Sequence, residues 1–91
     1  MSKIPQITGE EMIHLLERMG FYVKRKKGAH HFLYHLDDPS RFALVSVHSG
    51  ETIPPSTLRN ILTTSKISID ELRNQILTIS RNFNRRGLNH L

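Results

Sequence analysis

Between Phe21 and Val47 the chain abandons helical spacing for a two-residue period, and only short turns separate the alternating runs. Phe21 and Val23 begin the first run, with Lys26, Lys27 and Gly28 read as its turn. An aromatic-rich second run covers about Ala29–Leu36 and ends at Asp37, Asp38, Pro39 and Ser40, a strong turn signal. The third spans Phe42–Val47, with Ala43, Val45 and Val47 on one face and Phe42, Leu44 and Ser46 on the other. Parallel neighbours need a crossover of a dozen residues or more, which turns of roughly three to five residues cannot supply. The pattern dictates an antiparallel three-stranded meander.

Helical signals flank it on both sides. Thr8 and Glu11 have the spacing of a capping box, Ile7 and Met12 that of a hydrophobic staple, and Met12, Ile13, Leu15, Leu16 and Met19 form an apolar stripe. Helix 1 is expected over about residues 9–19, stopped by Gly20. After a loop over His48–Pro55, Pro55 can open a short helix carrying Leu58, Ile61 and Leu62 and closing near Thr64. A second capping box, Ser68 with Glu71, opens a C-terminal helix with Ile69, Leu72, Ile76, Ile79 and Phe83 on one stripe. That stripe suits core packing first and a partner or dimer surface second. Residues 82–91, with Arg85, Arg86 and Gly87, read as a frayed basic tail. The expectation is an α+β domain of 91 residues with its core over about 7–80, in the order α-β-β-β-α plus a short helix before the last.

Composition narrows the chemistry. A chain of 91 residues suits one domain, because autonomous domains mostly run from about 50 to 200 residues. The absence of cysteine excludes disulfides, thiolate zinc sites and thiol nucleophiles. No apolar run is long enough to span a membrane, and the opening segment lacks a signal-peptide hydrophobic region, so the chain reads as cytoplasmic. Thirteen Lys and Arg against eight Asp and Glu leave a net charge of +5, which favours a polyanionic partner, nucleic acid first.

Histidine is the available proton shuttle near neutral pH. His30, His31, His35 and His48 bracket the central strands, while His14 lies on helix 1 and His90 in the tail. His30 and His31 directly follow Lys26, Lys27 and Gly28, and basic residues at a Gly-containing turn can hold a phosphate while an imidazole acts on the adjoining sugar. In a metal-free RNA cleavage such a histidine takes the proton of the 2′-hydroxyl or protonates the leaving 5′-oxygen. The plainer reading of each is a surface or hydrogen-bonded strand residue, and spacing alone does not choose. His31 and His35 share a strand face about 13 Å apart, too far to chelate one ion, so no metal site and no cofactor is expected. The run Lys24, Arg25, Lys26, Lys27 is either a solvated turn or a binding patch. Phe32, Tyr34 and Phe42 nearby suit single-stranded RNA, although the core is the expected place for at least two of the three.

Gly28-Ala29-His30-His31-Phe32, Val45-Ser46-Val47-His48-Ser49-Gly50, and Ile53 through Leu58-Arg59-Asn60-Ile61-Leu62, followed by Ser68 at a helix start, together resemble the HicA (YcfA-like) toxin family. The resemblance covers about Ile7–Leu77. It implies a domain similar to double-stranded RNA-binding domains and a ribosome-independent mRNA endoribonuclease, usually encoded beside a HicB antitoxin that masks it. It also implies that His30 is the catalytic histidine, with His31 as the fallback. Ala29 replaces the family's usual Ser and can cost a hydroxyl contact at the turn; Ser46 replaces a usual Pro and is expected to alter only an edge of the sheet. With the two readings combined, Lys26 and Lys27 are the phosphate-contact candidates within a patch that includes Lys24, Arg25 and Gly28. Tyr34 and Arg41 have lesser roles, and His48 positions substrate or is structural. Partners are RNA and a HicB-like antitoxin, no membrane is implied, and a homo-oligomer is left open. A non-catalytic RNA-binding module is the main alternative, and a protein-interaction piece built on the C-terminal stripe is the other.

Overall fold

The computed structural model describes residues 4–89, and side chains for 4–79, so the sequence readings that rest on Phe83, Arg85, Arg86 and His90 lie outside the described side chains. The order is α1 (Gly9–Arg18), β1 (Phe21–Lys27), β2 (His30–His35), β3 (Phe42–Ser46), α2 (Pro55–Ser65) and α3 (Ile69–Asn89). The strands form one antiparallel sheet in the order β1-β2-β3, the expected meander.

Each helix starts where its capping chemistry directs. The Thr8 hydroxyl accepts from the Glu11 amide at 3.2 Å while the Glu11 carboxylate accepts from the Thr8 amide at 2.9 Å. Ser68 and Glu71 make the same reciprocal pair, at 3.0 Å in both directions. These bonds satisfy amides that have no intrahelical partner. Pro55 occupies the first position of α2, as its fixed φ favours. α3 runs on to Asn89, so the backbone of 82–89 is helical where composition suggested a frayed tail. That stretch has no proline and one glycine, Gly87, so nothing in it breaks the helical ladder.

The first turn differs from expectation. β1 continues through Lys27, so the basic residues lie on a strand, and a two-residue turn of Gly28 and Ala29 joins it to β2. Gly28 has φ of 58° and Ala29 no positive φ, the arrangement of a II′ hairpin with glycine first. That turn twists with the strands and lets pairing persist to Lys27↔His30.

One face of the sheet carries the core. Leu33, Ala43, Val45 and Phe21 bury against Met12, Leu15 and Leu16 of α1, Leu58, Ile61 and Leu62 of α2, and Leu72 of α3. Phe32, Tyr34 and Phe42 are absent from this core, contrary to the expectation for at least two of them. The pleat explains it: they alternate with Leu33 and Ala43 and so point to the opposite face. α1 meets the sheet closely, because a Cβ on Gly9 would lie 2.5 Å from the Ser46 carbonyl oxygen. The chain before α1 joins the loop after β3 through a Thr8↔Thr52 bridge and the Ile53 amide, which donates to Ile7 O at 2.8 Å.

Candidate active site

Three rungs cross the open face of the sheet. The strand register gives Tyr22–Tyr34–Phe42, then Arg25–Phe32–Leu44, then Lys27–His30–Ser46. His30 therefore stands at the hairpin end, flanked by a cation on β1 and a hydroxyl on β3. Its ring is exposed, and Nδ1 lies 3.1 Å from Ser46 Oγ. With the hydroxyl accepting from Nδ1–H, neutral His30 holds a lone pair on Nε2 and can act as a base, and the imidazolium holds a proton there and can act as an acid. Both states leave Nε2 as the outward nitrogen. Ser46 is thus more than the sheet-edge change expected of it. The register puts its side chain across from the candidate histidine because β2 and β3 pair about a turn centred on Asp38.

The other histidines do different work. His31 is half-buried on the helix side of β2, paired with Lys26 and Val45, and its Nδ1 donates to the Ala29 carbonyl at 3.2 Å. That carbonyl also accepts from the Val47 amide at 2.8 Å, so backbone bonds brace the turn beside His30 without a hydroxyl at position 29. His35 accepts at Nδ1 from the Asp37 amide and donates from Nε2 to Met19 O, which assigns it the Nε2–H tautomer and ties α1's exit to β2. Its ring also meets Phe21 edge-on, with centroids 4.9 Å apart.

The basic patch divides. Lys27 shares His30's rung and face, whereas Lys26 pairs with His31 on the other side. A bulge between Val23 and Arg25 inserts Lys24 as an extra residue, so that Lys24 and Arg25 both line a shallow hollow with Phe32 and Tyr34. Lys24 Nζ lies 5.2 Å from the Tyr34 ring centroid, a cation–π contact. Gly28 holds the turn. Arg41 is not part of this group: its Nε donates to Ser65 O at 2.7 Å and its guanidinium lies over Phe21, at the end of β3 remote from Ser46. There it caps the carbonyl end of α2, where a cation is favoured.

His48 lies in a cleft of about 260 Å³ between the end of β3 and the start of α2, lined also by Ser46, Glu51, Thr52, Pro54 and Thr57. Ser46 connects the two regions, since it both lines this cleft and touches His30. Among the described residues no three His, Cys, Asp or Glu converge on a point that could hold a metal ion. No described helix is long and apolar enough to cross a membrane.

The model of the HicA toxin of bacterial toxin–antitoxin systems matches residues 9–67, well over half the chain, from the first helical residue through the end of α2. The chain belongs to the HicA toxin family. Membership makes it the toxin component of a toxin–antitoxin pair and implies an antitoxin partner. The matched span holds His30, Ser46, His48 and the whole sheet. Among curated proteins, none matches the sequence.

Proposed function

We propose that this HicA-family toxin is a metal-independent, ribosome-independent mRNA endoribonuclease acting in the cytoplasm and held in check by a HicB-like antitoxin. His30 is its general acid–base. The observation that carries the reading is the Lys27–His30–Ser46 rung, which sets an exposed imidazole between a cation and a hydroxyl on the face of the sheet opposite the core.

The chemistry follows from those groups. Neutral His30 takes the proton of a ribose 2′-hydroxyl through Nε2, and the 2′-oxygen attacks the adjoining phosphorus. The bond to the 5′-oxygen breaks, leaving a 2′,3′-cyclic phosphate, and that oxygen takes a proton from an imidazolium or from water. Lys27 stabilises the charge that builds on the phosphorane oxygens. Without a 2′-hydroxyl, DNA has no nucleophile for this route. His31, already engaged with the Ala29 carbonyl, supports the turn and is the second choice as catalyst. Lys26 takes part in RNA binding from the other side of the sheet, and His48 positions substrate at the cleft.

The test is incubation of the wild type and His30→Ala with a labelled single-stranded RNA and its DNA counterpart in EDTA. RNA cleavage that resists EDTA and falls about 10²- to 10⁴-fold in the variant is the expected result. Undiminished cleavage by the variant transfers the role to His31. RNA retention with no cleavage by either protein replaces the reading with a non-catalytic RNA-binding module.

A further inference from the structure

The face of the sheet opposite the helices is unusual for a small domain. Tyr22, Phe42 and Leu44 are 38%, 45% and 44% exposed on it, and half-buried Phe32 and Tyr34 lie between them. Contiguous exposed apolar surface of this kind marks an interaction site. Its charge indicates the partner. No Asp or Glu occurs in any of the three strands, while Lys24 and Arg25 border the aromatic rings and Lys27 stands on the next rung of the same face, paired with His30. Rings for stacking, set among cations, fit the bases and phosphates of an unpaired nucleic-acid strand. A duplex keeps its bases inside and is recognised through its grooves and backbone, so a flat aromatic face offers it little.

We infer that this open face is a base-stacking platform for single-stranded RNA, in which nucleotides adjoining the cleaved bond stack on Phe32 and Tyr34 while their phosphates meet Lys24, Arg25 and Lys27. The inference rests on the ribonuclease reading for the identity of its substrate. Geometry links the two. His30, Phe32 and Tyr34 project from one side of β2 at steps of about 7 Å, close to the spacing of successive nucleotides in an extended strand. A strand laid along β2 with its bases on the two rings delivers the next phosphodiester to His30. The bulge in β1 contributes by putting two consecutive cations on the platform side, where strict alternation would put one.

The experiment measures binding, in the His30→Ala background so that RNA survives. Affinity for a single-stranded oligouridine is compared with affinity for an RNA duplex of equal length, before and after adding Phe32→Leu or Tyr34→Leu. Leucine keeps apolar bulk but offers no ring. Each replacement is expected to weaken single-strand binding about tenfold and to leave duplex binding unchanged. A second readout needs no further substitution: with two tyrosines and no tryptophan, both tyrosines on this face, tyrosine emission reports directly on the platform and is quenched as oligouridine binds. Quenching decides the matter if a leucine variant fails to fold. Single-strand affinity within twofold of the parent in both folded variants, or absent quenching on RNA that does bind, overturns the platform. Quenching by oligouridine together with failure of the wild type to cleave RNA removes the ribonuclease reading and leaves the platform standing.

Discussion

Ser46 illustrates how one side chain acquires a role from its neighbour. Its hydroxyl sits 3.1 Å from His30 Nδ1, and a histidine's second nitrogen has the state that its first nitrogen's hydrogen bond dictates. Ser46→Ala removes that control and leaves the backbone pairing with His30 intact. We expect RNA cleavage to slow by about tenfold, the pH at half-maximal rate to move, RNA affinity to hold, and Ser46→Thr to restore the profile. An unchanged pH–rate profile in the alanine variant rules out a positioning role for this hydroxyl.

Glu71 and Asp38 show how ends of elements become sensitive to acid. The Glu71 carboxylate accepts from the Ser68 amide, which with the Ser68 hydroxyl holds its pKa below the ordinary value of 4.5. Asp38, at the β2–β3 turn, is lowered chiefly by the Ser40 hydroxyl, 2.6 Å away. Because both folded values lie below the unfolded ones, their contributions are complete above about pH 4.5 and are lost as pH falls through the folded values. Glu71→Gln keeps a side-chain acceptor but no longer titrates. The thermal midpoint of this variant is expected to drop less between pH 7 and pH 3 than that of the wild type. Ser68→Ala, which removes the other half of the box, should cost about 1 kcal/mol at neutral pH by urea denaturation.

At the scale of the molecule, charge and sheet act together. The eight acidic residues fall in helices, turns and loops, leaving the three strands with basic residues alone. Four of the thirteen basic residues lie in β1, and three of them, Lys24, Arg25 and Lys27, are on the side of the sheet that carries Phe32 and Tyr34. RNA binding should weaken steeply with salt, and Lys27→Ala should reduce the slope of log affinity against log salt by about 0.7 for one lost single-strand phosphate contact. An unaltered slope means that Lys27 touches no phosphate. Arg59→Ala, at an exposed position of α2, is the comparison that separates local contact from total charge.

Local chemistry made much of this legible in advance. Both capping boxes, the stop at Gly20, Pro55 at the start of α2 and the three alternating runs depend on residues within a few positions of one another, and their elements appear where the spacing puts them. The strong turn around Asp38 even contained the His30–Ser46 register, since an antiparallel pair folded about position 38 sets 30 against 46. Other features were decided only when distant segments packed. The bulge at Lys24 shifts the alternation of β1 and reassigns the basic run between the faces, and no local signal marks it. Phe32, Tyr34 and Phe42 have the composition of a core, but the helices cover the side of the sheet that holds Leu33, Ala43 and Val45. Arg41 is drawn to the end of α2 by a carbonyl 24 residues away. Sequence by itself determined the elements and their order because capping, turn geometry and periodicity are short-range; which side chains share the site depended on sheet register and on which face the helices cover, and those are properties of the assembled fold.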